Sequence, residues 1–318
     1  MTTPKVVLAG GSGFLGRTLQ SYFAAQGWEV VVLTRRNNPG APTRTVLWDG
    51  KTSGPWVAEL EGAKALVNLA GRSVNCRYHP RNRAAMMNSR VDSTRILGKA
   101  LGQCESPPLI WLNSSTATIY RHRYDAANTE ESALYGASVE AKDTFSLEVA
   151  QAWEEAFFSS LAQVRQQHPV RGICLRTAMV FGNEPGGVYE TLRKLVRLGL
   201  GGRMGHGRQF VSWLHAEDFG RALSWLMENP EAEGIYNLAA PQPLPNGEMM
   251  RQLRRALGAP MGLPAPKLLL EVGAFLLRTE TELIVKSRRV EPARLLAGGF
   301  VFRHPTFATA VEALEDDG

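Results

Sequence analysis

The segment VVLAGGSGFLGRTL, residues 6–19, places Gly10, Gly13 and Gly16 at a spacing of three and three. An apolar run leads into this turn, and an amphipathic pattern leaves it at Phe14 and Leu15. Small residues in such a turn let the backbone close on a diphosphate. The N-terminus of the following helix offers free N–H groups and a partial positive charge to the same anion. The next apolar run, EVVVLT at 29–34, ends on Thr34, Arg35 and Arg36, and no carboxylate follows until Asp49. An acid at that place would hold a ribose 2′-hydroxyl and repel a 2′-phosphate, whereas arginine binds the phosphate through charge-assisted hydrogen bonds. The pattern predicts a dinucleotide site that prefers NADP(H). A plain tight turn followed by two solvated arginines is the alternative.

These groups need a frame to hold them. Apolar runs at 5–10, 29–34, 44–48, 63–70, 107–115 and 170–177 read as strands, with helical periodicity in 82–101 and 142–164 between them. Short continuous apolar strands alternating with helices argue for a parallel sheet covered on both faces. A further helix at 216–230 and a strand at 234–240 rejoin that sheet. The expected fold is α/β, an NAD(P)-binding Rossmann fold with a seven-stranded, mainly parallel sheet. Its dinucleotide domain spans 1–182 and is completed by about 212–240 and the tail 303–318. The loop-rich segments 183–211 and 241–302 are expected to form a smaller C-terminal substrate-capping domain over the sheet's carboxyl edge, where open parallel sheets bind ligands.

Composition narrows the class. The 318 residues are 44% hydrophobic and 21% charged, ordinary values for a soluble globular chain. No run approaches the ~18 apolar residues of a membrane span. LLLEVGAFLL at 268–277 contains Glu271 and reads as a buried helix or pocket wall. The first strand begins within a few residues of the start, with no signal peptide before it. Cys76, Cys104 and Cys174 are scattered and show no metal-ligand spacing, so no metal site is expected and a reducing cytoplasm suits them. The net charge of +6 suits anionic ligands.

GGSGFLG (10–16), NLAG (68–71) and NSSTATIY (113–120) resemble the extended short-chain dehydrogenase/reductase superfamily. Four further blocks, SRVDSTRIL (89–97), LRTAMVFG (175–182), RLGLGGRMGHGRQFVSWLHAED (197–218) and RRVEPARLLAGGFVFRHPTFATAVEAL (288–314), are similar to an atypical subgroup of NAD-dependent epimerase/dehydratase-like and nucleoside-diphosphate-sugar epimerase proteins. The resemblance covers almost the whole chain. It implies NADP(H) as the usual dinucleotide, with contacts from Leu69, Ala70 and Gly71 after strand four, Arg90 on the next helix, Ser114 at the end of strand five and Met179 after strand six.

Hydride-transferring members of the superfamily use a Tyr-x-x-x-Lys pair plus a Ser or Thr. None of the seven tyrosines here has Lys at the fourth following position, and the helix FSLEVAQAWEEAF puts Phe145 and Val149 in the two slots. Thr116 matches the superfamily's hydroxyl position, with Ser115 just before it; capping is their bland alternative. Tyr120 follows strand five beside Arg121, His122 and Arg123 and is the candidate acid/base, against a role packing the strand end.

A second candidate site is the loop with five glycines in 199–207, followed by Gln209, Ser212, Trp213 and His215. An aromatic ring among polar groups suits a sugar or other cyclic substrate, although His215 can equally cap the helix it precedes. Arg72, Arg77, His79, Arg81 and Arg83, with Arg90, Arg203 and Arg208, are a possible receiver for a phosphate or carboxylate or simply a solvated surface. Without interleaved aromatics, helix-turn-helix or zinc spacing, nucleic acid is not an expected partner, and neither is a membrane. Two functions remain. One is an NADP(H)-dependent oxidoreductase or epimerase acting on a carbonyl or sugar-like small molecule, as a monomer or homodimer. The other is an NADP(H)-binding sensor or regulator with little turnover, favoured by the missing pair.

Overall fold

A computed structural model describes every residue except 1–2, 37–39, 41, 133, 267–281 and 317–318. The apolar run at 268–277 lies outside the described residues. β1 (Lys5–Ala9), β2 (Glu29–Thr34), β3 (Arg44–Leu47), β4 (Ala65–Asn68), β5 (Ile110–Thr116), β6 (Arg171–Thr177) and β7 (Gly234–Leu238) build one seven-stranded sheet. Its order is β7-β6-β5-β4-β1-β2-β3 and every pairing is parallel. The expected Rossmann sheet is therefore present. Its order reverses between β1 and β4, which opens a crevice at the carboxyl ends of those strands.

Alternation along the strands divides the core into two layers. Val6, Leu8, Val30 and Val32 pack against α1 (Phe14–Ala25) and α5 (Ala216–Glu228) through Leu19, Phe23, Phe219 and Leu223. Val7, Ala9, Val31 and Leu33 share the opposite layer with Leu97 and Leu101 of α2 (Pro80–Leu101) and Phe157 and Leu161 of α3 (Thr144–Val164). Both faces are buried, so the strands read as continuous apolar runs.

A third cluster lies outside these layers. It joins Leu192 and Val196 of α4 (Val188–Arg197), Met250 and Leu253 of α6 (Asn246–Ala256), and Phe307 and Val311 of the C-terminal helix Phe307–Asp316. That helix was expected to complete the dinucleotide domain. It packs instead with the small cluster, because its apolar stripe meets α6 rather than the sheet. Among the described residues, no helix is long and apolar enough to cross a membrane.

Candidate functional site

Parallel pairing brings the ends of β1, β2, β4 and β5 to one edge. Gly10 sits at φ +74°, and a Cβ there would lie 2.7 Å from the Cα of Ala70. The turns after β1 and β4 thus touch across the crevice, and only glycine allows it. Gly16 permits a second close approach, since its Cβ would meet the Gly11 carbonyl oxygen at 2.0 Å. Gly13 differs: it is exposed, and nothing lies within 4 Å of where its Cβ would stand. It is also the N-cap of α1, whose first turn has neither a side-chain cap nor an acidic residue. The positive end of the helix and the N–H groups at Phe14, Leu15 and Gly16 are left for an external anion. Phe14 and Leu15 themselves pack partly on the core.

At the end of β2, Thr34 is buried and Arg35 and Arg36 are exposed. Neither arginine pairs with a carboxylate among the described residues. Behind the β4 turn, buried Asn68 donates from Nδ2 to Asn113 Oδ1 at 2.7 Å and accepts at Oδ1 from Ala70 N at 3.0 Å, shaping Leu69–Gly71. Arg90 leans on Gly71 and over the Trp153 ring, 5.1 Å from its centroid. Burial lowers its pKa to about 10, so it stays a cation at neutral pH. Met179 is half-buried and donates its N–H to Ser212 O at 3.2 Å.

A cleft opens beside these turns. Its lining includes Thr116, Tyr78, Arg90, Phe145, Val149 and Trp153. Phe145, Val149 and Trp153 recur every fourth residue on α3 and so share one helix face. Tyr78 stacks edge-on against Phe145 with centroids 5.4 Å apart. Thr116 keeps a local bond as well, accepting at Oγ1 from Thr118 N at 3.1 Å.

Ser115 and Tyr120 lie elsewhere. Ser115 is buried and donates to Glu154 Oε1 at 2.6 Å. Glu154 in turn holds Arg176 through two bonds of 2.9 and 2.7 Å. Arg176 donates to the Tyr120 hydroxyl at 3.0 Å, and that hydroxyl donates to Asn237 Oδ1 at 2.8 Å. Tyr120 is 1% exposed, and burial pushes its pKa up to about 12. Neither Tyr120 nor Ser115 lines the cleft, which corrects their expected place beside Thr116 at the reacting groups: both satisfy a buried charge network behind the strand edge. Tyr120→Phe is expected to leave dinucleotide binding unchanged and to lower stability by about 1–3 kcal/mol, because Arg176 and Asn237 each lose a buried partner. Thermal and denaturant unfolding measure this; unchanged stability would contradict the network's role.

A family model described as NAD dependent epimerase/dehydratase matches residues 6–239. The chain belongs to that family. A domain of unknown function, DUF1731, matches residues 265–314. The epimerase family protein SDR39U1 of Bos taurus is 30% identical over 312 residues, covering 97% of this chain and 98% of that protein. Its Homo sapiens counterpart is 29% identical over 313 residues, covering 98% and 99%. The crystal structure of human SDR39U1 with NADPH superposes with a TM-score of 0.83 at 25% identity, covering 99% of this chain and 100% of that one. A nucleoside-diphosphate sugar epimerase from Corynebacterium glutamicum gives a TM-score of 0.75 at 25% identity, over 98% of this chain and 58% of that one.

In this member of the epimerase/dehydratase family, the helix register that assigns Phe145 and Val149 to the Tyr and Lys slots puts both against the cleft beside Thr116. The glycine-loop residues do not join them. Gln209 is buried and donates to Met204 O at 2.8 Å; Trp213 is fully buried and donates to Gln242 O at 3.0 Å. His215 accepts at Nδ1 from Glu217 N at 3.2 Å as the N-cap of α5, and its ring lies against that of His304, tilted, with centroids 3.9 Å apart. Gln209 and Trp213 thus pack in the core, and His215 caps α5 and lines a different pocket beside Tyr22 and Asn183, so the structure does not bring the three to the cleft beside Thr116. Two cleft residues escaped the sequence reading. Tyr78 has Asn82 rather than Lys four residues on, so it carries no Tyr-x-x-x-Lys signal. Trp153 carried a usable signal, its helical spacing from Phe145 and Val149.

Proposed function

We propose that this protein binds NADP(H) and reduces a carbonyl group on a small molecule held in the cleft beside Thr116 and Tyr78. The supporting observation is the crevice edge itself: an open, uncapped N-terminus at Gly13 with two exposed arginines, unpaired with any described carboxylate, at the end of β2. The NADPH held in the human relative's crystal structure agrees with this reading. The turn Gly10–Gly16 and Leu69–Gly71 would hold the dinucleotide, and Arg35 and Arg36 its 2′-phosphate. When bound, NADPH supplies a hydride.

The chain's own part is to position the carbonyl, exclude water and deliver a proton. Phe145, Val149 and Trp153 form the dry wall, and of the hydroxyls that line the cleft, at Tyr78, Thr116, Thr118 and Ser146, those of Tyr78 and Thr116 are the proposed proton donors. With Val149 in the lysine slot, no ammonium on α3 helps a hydroxyl ionise; a free phenol titrates near 10. Turnover is expected to favour reduction by NADPH, with alcohol oxidation slow at neutral pH and faster as pH rises.

Calorimetry with NADPH and NADH, followed by NADPH oxidation against aldehydes, ketones and quinones, tests the reading. No NADPH binding overturns it. Rapid alcohol oxidation at neutral pH overturns the proposed direction. Tight binding without turnover on any carbonyl supports the second reading, a dinucleotide sensor, which the apolar Phe145 and Val149 in the catalytic slots favour.

A further inference from the structure

Arg90 carries a charge into the cleft, and among the described residues no carboxylate pairs with it. Its two hydrogen bonds both leave from Nη1, to Arg72 O at 3.1 Å and Met86 O at 3.0 Å. These are neutral acceptors. Nε and Nη2, the edge that grips a carboxylate through two parallel bonds, are not used by them. Gly71 borders this edge: a Cβ there would stand 3.2 Å from Cζ and 3.4 Å from Nη2. A side chain at 71 would cover the guanidinium, and glycine leaves it uncovered.

The surroundings repeat the sign. None of the described residues lining the cleft is acidic. Arg83 stands over the Phe145 ring at 4.9 Å and donates to Tyr78 O at 2.9 Å. Arg72 donates to Asn82 Oδ1 at 2.9 Å. Arg72, Arg83 and Arg90 form no ion pair with any described carboxylate. A half-buried cation left without a counter-charge is unfavourable, and an incoming anion relieves it. The dinucleotide's phosphates have partners at the Gly10–Gly16 turn and at Arg35 and Arg36, which leaves the charge of Arg90 for a different anion. The apolar remainder of the cleft, Tyr78, Phe145, Val149 and Trp153, offers ring faces and no further polar grip beyond the hydroxyls.

We propose that the cleft takes a small carboxylate-bearing substrate with an aromatic or similarly flat apolar body, and that Arg90 is the carboxylate's partner. This rests on the reading that the cleft is the substrate site. It moves Arg90 from the cofactor contact implied by family resemblance to substrate recognition. The body would pack on Phe145 and Trp153, and Arg72 and Arg83 at the rim would draw anions toward the cleft.

Benzoate is a suitable probe, with benzamide as its uncharged counterpart, titrated into the intact protein with and without NADPH. Benzoate is expected to bind about tenfold tighter than benzamide or better. Arg90→Met keeps the stem over Trp153 and is expected to abolish that difference while NADPH affinity stays within about threefold. Should Arg90→Met not fold, Gly71→Ala, which sets a methyl against Nη2, is expected to weaken benzoate several-fold with Arg90 in place. Equal binding of benzoate and benzamide overturns the proposal, as does benzoate affinity that survives both variants. No benzoate binding at its solubility limit, or an Arg90→Met protein that loses NADPH while keeping benzoate, also overturns it. Phenyl phosphate bound in preference to benzoate would make the anion a phosphate instead and reject the carboxylate. Because the titrations are run with and without NADPH, a failure of the dinucleotide reading shows as absent NADPH binding and is separate from any outcome at Arg90.

Discussion

Gly13→Val is expected to yield a folded protein whose affinity for NADPH is down by about a hundredfold or more, equivalent to roughly 2.7 kcal/mol. The protein itself tolerates the change. Gly13 has φ −82° and ψ −179°, extended backbone that valine adopts readily, and nothing lies within 4 Å of the new Cβ. The valine also replaces a better N-cap residue, a cost of about 1 kcal/mol that a stable domain survives. The loss falls on the ligand, because the isopropyl group occupies the open space in front of the N–H groups of the first turn of α1. Gly16→Val is the contrasting variant: its Cβ would overlap the Gly11 carbonyl at 2.0 Å, so it is expected to unfold the turn rather than merely block it. Calorimetric titration beside a thermal melt separates the two. A folded Gly13→Val protein with normal NADPH affinity would show that the diphosphate does not sit at this helix end.

The second large effect concerns the choice between dinucleotides. Wild type is expected to bind NADPH more tightly than NADH, and replacing Arg35 and Arg36 with Ala is expected to remove that preference with NADH affinity within about threefold. A hydrogen bond to a charged group contributes about 1.5–3 kcal/mol, and the lower figure alone is about tenfold. Both arginines are exposed, so solvent and salt screen them and keep the combined effect nearer tenfold to a hundredfold; raising ionic strength should narrow the preference. Parallel titrations with both cofactors at two salt concentrations measure this. Equal affinities in the wild type, or a preference that survives in the double variant, would remove the arginines from the site.

The cofactor edge and the catalytic assignments differ in how far local sequence reaches. The glycine turn is legible because its signals are adjacent in the chain: an apolar strand, small residues at a fixed spacing, and a helix start. Tyr120 looked equally plausible as chemistry, since it follows β5 among basic residues. Its ring turns inward because Arg176, 56 residues further along, needs a buried acceptor and Asn237 a donor. Neither neighbour announces itself near Tyr120. Gln209 and Trp213 mislead similarly. A glycine-rich loop with an aromatic and an amide reads as a binding loop, yet the N–H groups of both side chains are taken up by backbone carbonyls at Met204 and Gln242, and Trp213 packs in the fold's small cluster.

The sequence by itself determined the types of element, the glycine turn that opens α1, the arginines that close β2 and the loss of the Tyr-x-x-x-Lys pair. These depend on periodicity, turn chemistry and residue identity, which are local properties. Only the tertiary structure decided which side chains face the cleft and which pay for buried charge. It set Tyr78 against Phe145, carried Arg90 over Trp153 with no described carboxylate to meet it, and packed the C-terminal helix on α6 instead of the sheet. The direction of a side chain at a strand end, and the partner of a buried cation, depend on contacts between distant segments, and no spacing along the chain encodes them.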